Sequence, residues 1–206
     1  MNASPPAKPR RVAVFIDYQN CYKAARESFF DDANDVSWRG QFFPHMLANL
    51  LASKGEGGYS LPFIGIYAGI AANSREPKTF AARRKQVAVW EKTGVTVFTR
   101  PLQYPRTWPN GKPHEKGVDV KLAIDLVMKA NAGEFDVGIV ASCDTDLAPA
   151  VEAVLAMREK AGRPDVELVA WTGRANKIGI AGSTLTYRWI GPDDFNQIRD
   201  GTDYNV

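Results

Sequence analysis

The hydrophobic residues of this chain fall into short continuous runs, separated by longer stretches in which apolar residues recur every three to four positions. Continuous apolar runs are typical of strands that are buried on both faces of a parallel sheet. The sequence predicts six strands of this kind, at residues 11–16, within 59–70, and at 95–99, 137–141, 166–171 and 185–190.

The stretches between these runs have the spacing of amphipathic helices. Helices are predicted from residue 20, over 41–54, from about 77 to 93, over 116–131, after 146, and in a short segment of 191–200. Strands that alternate with helices indicate a three-layer α/β sandwich with a mostly parallel central sheet of five to six strands. Residues 11–206 are interpreted as one domain, and the proline-containing residues 1–10 as a disordered tail.

Composition narrows the function only slightly. The net charge of +3 is too small to require a nucleic-acid partner and does not repel one. Cys21 and Cys143 are too few for a disulfide framework or a zinc ligand set, and we expect them to be small packing residues. No run approaches the roughly 20 apolar residues of a membrane helix. We therefore expect a cytoplasmic protein with no membrane partner; the patterns do not separate a monomer from a homodimer.

Acidic residues follow two of the predicted strands. Asp17 ends the first strand, and Asp144 and Asp146 come directly after the fourth. The carboxyl ends of parallel strands are where open α/β sheets bind ligands. Carboxylates this close together require a cation, hydrogen bonds or ample water. Simpler roles also remain open, because Asp144 and Asn20 could each cap a helix and Asp17 could be a turn residue.

A fourth acid, Asp119, lies in the first turn of the helix predicted after a long loop. Helical phase aligns it with an apolar-leaning face, which would aim it over the edge of the sheet. Its neighbour Asp125 is instead in phase with lysines at i−4 and i+4, in a predicted solvent-exposed charged stripe: Lys121, Asp125 and Lys129.

Four such aspartates suit a hard divalent cation. Mg²⁺ and Mn²⁺ take oxygen ligands, usually carboxylates together with waters and substrate phosphate. A bound ion of this kind activates water and offsets charge that develops on phosphorus. Asn20, in the first turn after Asp17, could hydrogen-bond a metal-bound water or a phosphate.

Three segments carry a family resemblance, in the expected order along the chain. Residues 14–20 (VFIDYQN), 116–126 (KGVDVKLAIDL) and 139–149 (IVASCDTDLAP) resemble the three motifs of NYN domains, the PIN-like nuclease group that includes the LabA-like proteins. The resemblance spans about residues 11–198. It implies a PIN-like fold and metal-dependent cleavage of RNA by an acidic cluster with Asn20 beside it: Asp17, Asp119, Asp144 and Asp146. Asp125 also matches a recurring acid of the family.

The third motif departs from the family pattern at two positions. Cys143 stands where glycine is usual, and Leu147 replaces phenylalanine. If the turn required a positive φ, a cysteine there would be strained. Neither change removes a carboxylate.

The long loop at residues 100–115 is the best candidate for a nucleic-acid surface. Single-stranded nucleic acid is held by cations on its phosphates and aromatic rings on its bases. The loop and the residue after it supply both: Arg100, Tyr104, Arg106, Trp108, Lys112 and Lys116. An ordinary solvated loop is the alternative. Arg174 and Lys177, after the fifth strand, could reach the same edge.

Three functions are compatible with these observations. The first is a Mg²⁺- or Mn²⁺-dependent endoribonuclease. The second is a regulatory NYN-like module that binds RNA or protein without cutting. The third is a phosphatase of the haloacid-dehalogenase type, which ranks low because those enzymes have a second aspartate where this chain has Gln19.

Overall fold

In the computed structural model, residues 8–30, 38–174 and 178–205 are described. Their strands form one sheet of six, all parallel, in the order β3-β2-β1-β4-β5-β6. This confirms the predicted three-layer α/β class. The strands are β1 (Arg10–Asp17), β2 (Tyr59–Ile70), β3 (Thr96–Pro101), β4 (Val137–Ala141), β5 (Asp165–Trp171) and β6 (Thr186–Ile190).

In the described residues, six α-helices connect these strands or follow them: α1 (Tyr18–Phe29), α2 (Pro44–Ser53), α3 (Pro77–Glu91), α4 (Val118–Asn131), α5 (Ala148–Ala161) and α6 (Pro192–Ile198). A single 3₁₀ turn, Thr145–Leu147, precedes α5. Two predicted helix starts were too early. Phe42 forms an antiparallel bridge with Arg199, so α2 begins only at Pro44, and Gly117 has a left-handed φ of 72°, so α4 begins at Val118.

Alternating residues of β1 enter two different cores, which explains why its sequence is continuously apolar. Val12, Val14 and Ile16 pack on the face covered by α1, α2, α3 and α6. Ala13 and Phe15 pack on the opposite face, beneath α4 and α5.

The strand order places a topological switch next to β1. From β1 the chain moves outward on one side through β2 and β3, then returns to pair β4 with the other side of β1. Ile16 lies opposite Ala141 in this pairing, so the two strands end side by side. A crevice between two strand ends of this kind is the usual ligand position in an open α/β sheet.

Some predictions fall outside the described residues: most of the tail at 1–10, residues 31–37 of a loop predicted at 31–40, and Lys177. Within the described part of the chain, no helix is long and apolar enough to cross a bilayer.

Candidate acidic site at the end of the sheet

Asp17 is the central carboxylate of the candidate site. It is the last residue of β1 and only 6% exposed. One oxygen caps α1 by accepting a hydrogen bond from the backbone N–H of Asn20 at 3.1 Å. The pKa of Asp17 is raised to about 7, mainly by burial and also by the charges of Glu115 and Asp144, while the hydrogen bonds from Asn20 and Ser142 oppose the shift.

Ser142 connects Asp17 to the acidic turn after β4. Its buried hydroxyl donates to Oδ2 of Asp17 at 3.2 Å and accepts the backbone N–H of Asp144 at 3.1 Å. The hydroxyl therefore fixes the orientation of one carboxylate and the backbone that carries the other. Asp144 also accepts the N–H of Asp146 at 3.0 Å, so its predicted capping role is confirmed, for a 3₁₀ turn.

Asn20 joins the ends of β1 and β4 directly. Its side-chain oxygen accepts the backbone N–H of Cys143 at 2.8 Å, and it lies inside α1, where it caps no helix. No described residue other than glycine has a positive φ, so Cys143 fits the family's glycine position without backbone strain. Both cysteines are buried free thiols, as expected for packing residues.

Glu115 is a further acid at this edge that was not predicted from the sequence. The loop returns to the sheet through an antiparallel bridge between Gln103 and His114, and the Glu115 carboxylate then accepts the N–H of Gly69 in β2. A Cβ on Gly69 would lie 2.4 Å from Cδ2 of Leu102 and 2.7 Å from Oε1 of Glu115, so glycine leaves room for this close approach. The available signal was its position directly before the second motif, four residues ahead of Asp119.

The charges of four carboxylates act on one another in pairs: those of Asp144 and Glu115 act on Asp17, and that of Asp119 acts on Glu115. Burial is the largest cause of the raised pKa of Glu115, and the Asp119 charge adds to it, while Arg83 and Lys23 lower it. Asp119 is half-buried in the first turn of α4, as its helical phase predicted. A divalent cation among these carboxylates would offset the repulsion between them.

The donor set fits a hard divalent ion in its chemistry, since it consists of carboxylate and hydroxyl oxygens. In the side-chain arrangement of the described residues, no group of three or more His, Cys, Asp or Glu residues is close enough to hold a metal. Binding of an ion by three of these carboxylates therefore requires changes of side-chain rotamer at half-buried Asp119, Asp144 or Glu115. Asp146 is exposed beside this set.

Asp125 lies apart from the acidic set, and the prediction that it belongs to a solvated stripe was wrong. Only 12% of its side chain is exposed. One oxygen accepts the hydroxyl of buried Tyr67 at 2.9 Å, and the other pairs with Lys121 at 2.6 Å. Asp125 therefore connects α4 to β2 through its hydrogen bond with Tyr67.

The candidate nucleic-acid residues divide into two groups. Arg106, Lys112 and Lys116 are exposed. Tyr104 is tied to the protein, because its hydroxyl donates to Glu76 at 2.6 Å and accepts the N–H of Ala72 at 2.9 Å.

The ring of Tyr104 contacts half-buried Trp108 edge-on at 4.9 Å. Arg100, at the end of β3, lies beside Gly117 and donates to its carbonyl at 3.4 Å. Arg174 reaches the site edge but pairs with Glu27 at 2.8 Å. The cations of the loop are thus the residues presented to solvent.

Comparison with known proteins shows the family of the chain and a similar fold. The family profile described as NYN domain matches residues 11–163. The fold is similar to the crystal structure of a protein of unknown function from Vibrio parahaemolyticus, with a TM-score of 0.53 at 17% sequence identity; the match covers 94% of this chain and 98% of that one. At this identity the likeness concerns the fold alone. No protein with a curated description matches the chain.

Proposed function

The chain belongs to the NYN domain family, a group of PIN-like nucleases, and from this premise we propose that it is a metal-dependent endoribonuclease. The observation that carries the proposal is the connection of Asp17 through the Ser142 hydroxyl to Asp144, at the junction of β1 and β4. Buried carboxylates are costly when charged and unpaired, and a divalent cation would remove that cost.

In this proposal Asp17, Asp119 and Asp144 hold one or two Mg²⁺ or Mn²⁺ ions, with Asp146 at the exposed side. When bound, the metal would supply an activated water and offset charge on the phosphodiester. Ser142 keeps Asp17 and the Asp144 backbone in register. Asn20 holds the β4 turn against α1. The protein thus fixes the ends of β1 and β4 relative to each other.

Glu115 is proposed as a fifth acid of the site. Its carboxylate is anchored by the Gly69 N–H and lies close enough to Asp17 and Asp119 for their charges to interact. With its raised pKa it can hold a proton nearer neutral pH than an exposed glutamate can. It is therefore placed either to bind the metal or to exchange a proton at the site.

RNA is the proposed substrate. Exposed Arg106, Lys112 and Lys116 would contact phosphates, with Arg100 at the end of β3. Half-buried Trp108, braced by Tyr104, offers a ring for base stacking. These residues come from the loop that also carries Glu115, so binding of RNA to the loop would bring a phosphodiester toward the acids.

Labelled single-stranded RNA tests the proposal. The protein with Mg²⁺ or Mn²⁺ should cleave it, and both EDTA and Asp144→Asn should abolish cleavage with the fold intact. Asp193→Asn is the matched control, because Asp193 is an exposed acid on α6. Undiminished cleavage in EDTA would contradict the proposal.

One observation favours a second candidate, a regulatory module that binds RNA or protein without cutting. No three acids of the described residues are arranged to hold a metal. This candidate requires saturable RNA binding that is unchanged by EDTA and by Asp144→Asn, with no cleavage product under any metal condition.

A further inference from the structure

A polar cavity lies at the edge of the sheet opposite the acidic set. It has a volume of about 490 Å³ and is bordered by the start of β1, the turn after α2, and strands β5 and β6. Arg10 is the first residue of β1 and Asp17 is the last, so about 23 Å of strand separates the cavity from the acids. The cavity is therefore a separate feature of the molecule.

Two guanidinium groups converge on one point of this cavity, beside Gly55. A Cβ at Gly55 would lie 2.4 Å from Nη2 of Arg10 and 2.7 Å from Nη2 of Arg188, so these nitrogens are within about 5 Å of each other. Two like charges at this distance repel each other unless anions offset them. The absence of a side chain at Gly55 leaves room for both groups.

The protein neutralises only one of these two arginines. Arg188 is buried; its Nε donates to the carboxylate of Glu167 and its Nη1 to the carbonyl of Leu51 at 2.6 Å. Among the described residues, the Arg10 side chain has no hydrogen-bond or ion-pair partner, and its Nε is buried. Arg10 therefore brings an unpaired charge and a buried unsatisfied donor to the cavity wall.

The other charges of the cavity wall do not supply the missing partner. Lys54 is paired with Asp194 at 2.9 Å. Glu56 is exposed and pairs with no cation of the described residues. Buried donors in proteins are normally satisfied, so an unpaired one beside a second guanidinium marks a place for an acceptor with negative charge.

We propose that this cavity binds the phosphate group of a small phosphorylated molecule, held between the guanidinium groups of Arg10 and Arg188. Planar guanidinium groups match phosphate oxygens in geometry and charge. The volume lies within the range of small-molecule sites, about 300–1,000 Å³, and leaves space beyond a phosphate for the rest of the ligand. The proposal does not depend on nuclease activity.

Calorimetric titration of the metal-free protein tests it, at constant ionic strength, with inorganic phosphate and ribose 5-phosphate as probes. Arg10→Gln removes the unpaired charge. Gly55→Ala leaves every charge in place but puts a methyl group where the guanidinium groups meet, and φ at Gly55 is outside the left-handed region. Each substitution should weaken binding of ribose 5-phosphate about tenfold or more.

Two control variants sharpen the test. Arg84→Gln removes an exposed arginine from α3 and should leave binding unchanged. Glu56→Gln removes a negative charge from the cavity wall and should tighten binding. Thermal unfolding checks that each variant is folded.

Three results would overturn the proposal. The first is no saturable binding of either probe by the natural sequence. The second is an equal loss of affinity in Arg10→Gln and Arg84→Gln, which indicates unspecific attraction of anions. The third is inorganic phosphate binding as tightly as ribose 5-phosphate, which would exclude a larger ligand. Because neither RNA nor metal is present in the titration, its failure is distinct from a failure of the nuclease proposal.

Discussion

At the scale of single residues, the burial of Asp17 governs how the site responds to pH. The folded protein raises its pKa to about 7, mainly through burial, whereas an unfolded aspartate titrates near ~3.9. Between these pH values the folded state holds a proton that the unfolded chain has released. This contribution to stability is complete below about pH 4 and is lost as the pH rises through 7.

Substitution Asp17→Asn should remove this pH dependence in metal-free protein. The measured quantity is the free energy of unfolding of the variant minus that of the natural sequence. We expect this difference to increase by about 2–4 kcal/mol from pH 4 to pH 8, since asparagine carries no charge to bury. Urea unfolding at both pH values measures the difference. A difference that does not change with pH would show that Asp17 is not buried as described.

Asn20 has a structural role that is separable from its proximity to the acids. Asn20→Ala leaves the N–H of buried Cys143 without its acceptor, which should cost about 1–3 kcal/mol of folding free energy. Gln19→Ala, one position away in the same helix, is the control and should change stability by less than about 0.5 kcal/mol. Equal stabilities of the two variants would exclude the proposed link between α1 and the β4 turn.

Among the elements, continuous apolar strands were predictable, and so was the start of α3 at Pro77, but the starts of α2 and α4 were not. The bounds of β4 were predicted to the residue, since burial on both faces leaves an uninterrupted apolar run. The start of α2 depends on the bridge between Phe42 and Arg199, which are distant in sequence. The place of Glu115 likewise depends on its contact with Gly69 in β2, which local pattern does not contain.

The two aspartates of the second motif, Asp119 and Asp125, both lie in α4 but make different contacts. Asp119 faces the site, while Asp125 holds Tyr67 and Lys121. We expect Asp119→Asn to abolish RNA cleavage with little change in stability. Asp125→Asn should lower stability by about 1–2 kcal/mol and preserve cleavage per folded molecule. Chemical unfolding and a cleavage assay on the same samples make the comparison; the reverse assignment of effects would refute it.

At the scale of the whole molecule, the loop after β3 is predicted to supply the electrostatic part of RNA binding. Arg106→Ala combined with Lys112→Ala should weaken binding and reduce the slope of log affinity against log salt by about 1.4, at ~0.7 for each phosphate contact on a single strand. The matched control removes two exposed lysines elsewhere, Lys92→Ala with Lys160→Ala. Fluorescence anisotropy across a salt series measures both slopes, and equal slopes would place the RNA on another surface.

The switch in strand order brings the first and third motifs together, and the long loop leads into the start of the second motif at the same edge. Sequence could predict the aspartates at the ends of β1 and β4, because parallel strands align their carboxyl ends. It could not predict that Ser142 links Asp17 to the Asp144 backbone, because a hydroxyl satisfies many turns and only the tertiary structure shows which groups it joins. The sequence also could not predict that the guanidinium groups of Arg10 and Arg188 lie close together, because the two residues are far apart in the chain.

The acids at this edge are proposed to bind a divalent metal, and a crystal soaked in Mn²⁺ tests whether they do. Anomalous scattering identifies manganese independently of the refined side-chain positions. We predict an anomalous peak bonded to at least two of Asp17, Asp119 and Asp144, with Glu115 and Asp146 as the neighbouring acids. No peak at saturating Mn²⁺, with these side chains turned apart, would contradict the claim and favour the non-catalytic binding module.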